Sequence, residues 1–132
     1  MNIRVKDPGS AITHFIGMMM AMFASTPLLI KAARQPDEIH MVALSIFITS
    51  MILLYGASTL YHTLDLSAKM NKLLKKIDHM MIFVLIAGTY TPICIITLPQ
   101  PLGIRLLALV WGIALVGIVV KMFWITCPKW FS

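Results

Sequence analysis

The stretch MMIFVLIAGTYTPICIITL, residues 80–98, contains no Asp, Glu, Lys or Arg. A helix of this length reaches about 30 Å, which is the thickness of the hydrocarbon core of a bilayer. Three further apolar runs lie at 11–30, 41–62 and 102–123. The sequence therefore predicts an all-α integral membrane bundle of four transmembrane helices, at about 11–30, 41–62, 77–98 and 102–123, in a single membrane domain covering 1–132.

The composition excludes most other classes of protein. Of 132 residues, 59% are hydrophobic and only 12% are charged, about half the charged fraction of an average soluble domain. The chain cannot cover a water-facing surface with so few charges, and it is too apolar to be disordered. Its net charge of +6 comes from residues between apolar runs and not from a basic face, so we expect the lipid bilayer as partner and no nucleic acid.

The distribution of basic residues predicts the topology. The connections between the runs are short, so successive helices are expected to be antiparallel. The N-terminus, the second connection and the C-terminal tail then share one side, which holds eight of the eleven basic residues: Arg4, Lys6, Lys69, Lys72, Lys75, Lys76, Lys121 and Lys129. Because basic residues accumulate on the cytoplasmic side, the N-terminus is predicted to be cytoplasmic. Trp124, Trp130 and Phe131 would then lie at the inner interface.

The second connection, 63–76, has a pattern of its own. Its apolar residues recur at the spacing of one helix face, and lysines fill much of the remainder. This pattern predicts an amphipathic cytoplasmic loop that forms a short interfacial helix, with lysines reaching anionic headgroups. A solvated run of charge that only sets the topology explains the same residues.

Polar side chains at three helix ends are expected at one membrane depth. Ser58 and His62 lie four residues apart on one face of the second helix. Asp78 and His79 begin the third helix, and His14 lies near the start of the first. Intramembrane polar groups are costly, so a layer of them indicates a functional site.

Two interpretations of this layer remain open on spacing alone. Imidazole and carboxylate groups are suitable zinc ligands, although a closed zinc site needs about four of them. Alternatively, Asp78 stabilises the start of its helix through the helix dipole, and His62 is an interfacial polar residue. Asp78 and His79 are about 100° apart on a helix, so both cannot easily face one ion.

Three motifs together resemble the hemolysin III family, bacterial relatives of the progestin and adipoQ receptors within a wider group that includes alkaline ceramidases. They are STLYH at 58–62, KIDH at 76–79 and AGTYTP at 87–92. The segments 12–17 and 109–121 are similar to the family's opening and fourth helices. The resemblance covers most of the chain.

The resemblance implies a seven-helix fold with a cytoplasmic N-terminus in a bacterial inner membrane, of which this chain would supply the first four helices. It implies a zinc site near the cytoplasmic face. His62 would be a metal ligand, Ser58 a neighbouring polar group, and Asp78 would hold the water on the zinc. The family's other two ligands lie in a His-x-x-x-His motif on its last helix. The chain stops at Ser132 without such a motif, so we expect a truncated N-terminal half with an incomplete site.

The implied chemistry is zinc-dependent hydrolysis of an amide, with a lipid amide from the bilayer as substrate. Asp78 would act as general base or would orient the water, and Ser58 would donate a hydrogen bond to the developing oxyanion. The alternatives are a non-enzymatic, pore-forming cytolytic protein, or an inactive fragment that only inserts into membranes.

Overall fold

The computed structural model of the protein describes residues 5–124. Within this range lie four helices, α1 (Pro8–Ala33), α2 (Ile39–Thr63), α3 (Ala68–Pro92) and α4 (Leu102–Phe123), and no strand. All four are long and apolar enough to cross a bilayer. The predicted all-α bundle of four membrane helices is confirmed. The expectations for Arg4, Lys129, Trp130 and Phe131 lie outside the described range.

Local sequence signals set the helix ends. Asp7 caps α1, because its carboxylate accepts a bond from the backbone N–H of Ser10, and Pro8 occupies the first helical position. Ser67 caps α3 in the same way, accepting from the backbone N–H of Met70 at 3.3 Å. Pro92 has no N–H for the helix ladder, and a π-helical turn, Ile93–Thr97, follows it directly.

Helix α3 begins earlier than the apolar run that it contains. The sequence suggested a membrane helix from residue 77 after a separate amphipathic loop at 63–76, whereas the structure continues α3 back to Ala68. The Ser67 cap and the absence of Gly and Pro from 68–76 explain the continuity. The helical segment Ala68–Thr97, which includes the π-helical turn, has 30 residues and reaches about 45 Å, which exceeds the hydrocarbon core. The segment is therefore long enough for its lysine-rich start to lie among the headgroups.

Each helix packs against its neighbours in sequence. In residues 5–124, α2 contacts α1 and α3, α3 contacts α4, and α1 contacts neither α3 nor α4. Glycines allow close approach at these contacts, as is common where helices associate in lipid. Three such pairs are Gly17 with Tyr55, Gly88 with Ser50, and Gly117 with Phe83. The four helices thus form a row, and many large apolar side chains remain exposed on its faces.

Candidate functional site

The beginning of α1 is bound to the end of α2. The backbone N–H of Asp7 donates to the carbonyl oxygen of His62 at 2.9 Å. The carboxylate of Asp7 lies 3.4 Å from Nδ1 of His62 and also accepts a 2.7 Å bond from the hydroxyl of Ser10. One residue thus joins the two helices through both its backbone and its side chain.

A second polar contact lies further along the same two helices. Oγ of Ser58 and Nδ1 of His14 share a hydrogen bond of 2.6 Å, and Ser58 is only 4% exposed. The ring of His14 stands edge-on to that of His62, with centroids 5.5 Å apart. The structure therefore brings Ser58, His62 and His14 into one cluster, with the serine hydroxyl fixed by an imidazole.

Asp78 lies on the neighbouring helix, and its carboxylate faces a different partner. Its side chain is 3.5 Å from Nδ1 of His79, and the residue is 7% exposed. The rings of Tyr61 and His79 are 6.5 Å apart, so the end of α2 and this part of α3 do lie side by side. However, no hydrogen bond or ion pair within residues 5–124 joins Asp78 to Ser58 or His62. The carboxylate that lies beside the His62 ring is that of Asp7.

The sequence reasoning missed Asp7, although a signal for it exists. Asp7, Ser10 and His14 are spaced at i, i+3 and i+7, which places them on one face of a helix. An Asp before Pro-Gly at the start of an apolar run is also a typical helix cap. Together these features mark a polar face at the N-terminal end of α1.

The hydrogen bonds around Asp7 stabilise its ionised form. The hydroxyl of Ser10 and then its backbone N–H lower the pKa of the Asp7 carboxyl below its ordinary value of 3.8, and the facing imidazole of His62 acts in the same direction. Stability from this carboxylate is therefore present above the ordinary pKa and is lost as the pH falls through the lower value of the folded state.

We expect Asp7→Ala to lower the melting temperature of the detergent-solubilised protein, because it removes the α1 cap and the contact with His62 together. Asp37→Ala is the matched control, since Asp37 pairs with His40 at 2.6 Å near the start of α2 and joins no second helix. The Asp7 variant should also lose the acid-dependent part of the unfolding curve below about pH 4. Equal melting temperatures for the two variants would contradict this assignment.

An apolar groove leads away from the cluster into the membrane. It has a volume of about 580 Å³, lies between α1 and α2, and is lined by Gly17, Pro27, Phe47 and Tyr55 among others. Tyr55 connects it to the cluster, because its ring is 6.0 Å from that of His14. Lys31 lines the distant part of the groove.

The polar residues of the cluster do not by themselves make a zinc site. Nowhere between residues 5 and 124 do three His, Cys, Asp or Glu side chains lie together in a way that could hold a metal ion. His62 supplies an imidazole of the kind that zinc binds. A zinc ion at His62 would need further ligands from outside this part of the protein.

Four spanning helices with a polar cluster at one end define a multi-pass membrane protein. The sequence matches the family described as Haemolysin-III related over residues 3–132, and the chain belongs to this family. The resemblance drawn from the motifs is thereby confirmed.

Two curated relatives are similar over most of this chain. "Hemolysin-3" of Bacillus cereus is 43% identical over 120 residues, which are 91% of this chain and 54% of the relative. "Hemolysin-3 homolog" of Bacillus subtilis (strain 168) is 45% identical over 120 residues, which are 91% of this chain and 56% of the relative. The chain thus spans about half the length of these relatives. No solved structure matches it significantly.

Proposed function

We propose that the chain forms part of a hydrolase-like site at the cytoplasmic face of a bacterial inner membrane, with zinc as cofactor and a lipid amide as substrate. The observation that carries this proposal is the hydrogen-bonded pair of Ser58 and His14, which lies beside the end of an apolar groove. A nearly buried hydroxyl oriented by an imidazole is a costly feature between two membrane helices. A catalytic use of the hydroxyl explains that cost.

The groove supports the choice of a lipid substrate. Its walls are almost wholly apolar, and it extends from the polar cluster along α1 towards the other side of the membrane. An acyl chain in this groove would bring the polar end of the lipid to the level of Ser58 and His14. Binding energy from the chain would then position the scissile bond.

Each residue of the site has a chemical role in this proposal. Ser58, held by His14, donates a hydrogen bond to the oxyanion that develops on the substrate carbonyl. Asp78, on the adjacent helix, acts as general base by taking a proton from the water that attacks the carbonyl carbon. His62 is this chain's ligand for zinc, whose contribution is to polarise the carbonyl as a Lewis acid. The carboxylate of Asp7 beside Nδ1 of His62 resembles the outer partners that orient metal-binding imidazoles.

We expect His62→Ala to remove bound zinc from the purified protein, with a loss of at least tenfold in the zinc-to-protein ratio. His40→Ala is the matched control, because His40 also lies near the end of a helix and beside a carboxylate, but at the opposite end of α2. Zinc is measured by elemental analysis after gel filtration. Hydrolysis of a fluorescent long-chain acyl amide is measured in parallel and should follow the zinc content.

Two outcomes would contradict the proposal. One is equal zinc in the wild type and the His62 variant, including none in either. The other is release of dye from lipid vesicles by both proteins at equal rates. The second result would favour membrane lysis, the activity to which the name of the relatives refers.

A further inference from the structure

The cytoplasmic extension of α3, residues 68–76, is a basic helical surface. Lys69, Lys72 and Lys75 are exposed on it. Lys76, which is half-buried, donates instead to the carbonyl oxygen of Met122 at 2.6 Å. One lysine thus binds the end of α4 through a hydrogen bond, and the three others are exposed on the surface.

These three lysines have no acidic partner within the part of the chain that the structure describes. None of the three His–Asp ion pairs there includes one of them. The nearby carboxylates have other partners, because Asp65 accepts a bond from Asn71 and Asp78 faces His79. The positive charge of the extension is therefore not neutralised by residues 5–124.

An apolar stripe lies beside the lysines. Met70 and Leu73 lie three residues apart on one face of the helix, and both are exposed together with Leu66, which precedes the helix. A soluble acidic partner would match the charge and leave this stripe in water. A helix with one apolar side and one basic side matches the boundary between headgroups and acyl chains.

We propose that the extension of α3 is a binding site for anionic phospholipid headgroups of the cytoplasmic leaflet. Lys69, Lys72 and Lys75 contact the phosphates, and Leu66, Met70 and Leu73 lie among the upper acyl carbons. The length of the helical segment Ala68–Thr97 supports this depth, because at about 45 Å it exceeds the hydrocarbon core by about 15 Å. The site is independent of the proposed hydrolase.

A lysine near an anionic surface strengthens binding by about fivefold, so three lysines together give about a hundredfold preference for anionic over zwitterionic lipid. We test this with the whole protein in nanodiscs of phosphatidylcholine, with or without phosphatidylglycerol. The wild type should melt at a higher temperature in the anionic discs and should retain phosphatidylglycerol through purification. Both effects should weaken in 1 M salt, where charges are screened beyond about 3 Å.

Two variants serve as tests and two as controls. K69Q/K72Q/K75Q should lose the preference for phosphatidylglycerol, whereas K69R/K72R/K75R should keep it. R34Q/R105Q, at the opposite end of the bundle, should behave as the wild type. Inorganic phosphate at millimolar concentration should not reduce the lipid effect, because the apolar stripe requires a lipid. Equal melting temperatures for the wild type in both lipids, or an unchanged preference in the Lys→Gln variant, would overturn the proposal.

Discussion

Replacing Gly88 with valine is expected to lower the free energy of unfolding by about 3 kcal/mol, at the upper end of what overpacking of a close contact costs. A Cβ atom at this position would overlap the hydroxyl and Cβ of Ser50 on α2, and it would also meet the backbone carbonyl of Ile46 at 3.5 Å. Both Gly88 and Ser50 are buried at the contact between α2 and α3. The helices would have to separate, which would break the row at its centre. Unfolding in a titration with sodium dodecyl sulfate measures the loss.

Gly112 provides the control for this substitution. A Cβ added at Gly112 has nothing within 4 Å, so Gly112→Val should change the free energy of unfolding by less than about 0.5 kcal/mol. Ser50→Gly combined with Gly88→Val should restore part of the lost stability, because it removes the side chain that collides. Similar losses in Gly88→Val and Gly112→Val would show that helix propensity, and not the contact with Ser50, sets the effect.

Placing a lysine at position 113 is expected to shift the insertion equilibrium of α4 strongly towards the uninserted state. Ile113 lies at the middle of α4 and is 60% exposed, so the new charge would have no partner within residues 5–124. A lysine at the centre of a membrane helix costs about 3 kcal/mol in insertion, which corresponds to about a hundredfold shift towards the uninserted state. Labelling of single cysteines on either side of α4 measures the fraction inserted.

Phe123→Lys is the matched substitution at the end of the same helix. Phe123 is more exposed than Ile113, but a long basic side chain there can reach the interface. We therefore expect normal insertion of α4. Normal insertion of Ile113→Lys would instead mean that position 113 faces protein or water in the membrane.

The four spans could be predicted from the sequence because runs of about 20 predominantly apolar residues, with charges only near their ends, indicate a hydrocarbon surrounding. The start of α3 could not be predicted in this way. The lysines of 68–76 lower the hydropathy of that segment, whereas helix formation depends on helix propensity and on the Ser67 cap. Hydropathy indicates how much of a helix lies in the hydrocarbon core, but not where the helix itself begins and ends.

The sequence indicated the level along the helices at which the polar side chains lie, but not which of them contact each other. The spacing of Ser58 and His62 and the antiparallel order of the helices indicated one polar layer. The pairing of Ser58 with His14, and of His62 with Asp7, depends on how each helix is rotated about its axis. That rotation results from side-chain packing between helices. A sequence that is apolar on all sides of a helix gives little indication of which side packs against a neighbour.

The row of helices has a consequence for biosynthesis. Among the helices α1 to α4, each contacts only its neighbours in sequence. The α-helices that pack together are therefore synthesised one directly after the other. Assembly can then proceed hairpin by hairpin while translation continues, and the small separation between contacting residues favours rapid pairing. A nascent chain arrested after α2 should already carry the junction between Asp7 and His62, before the lysines that follow have been synthesised.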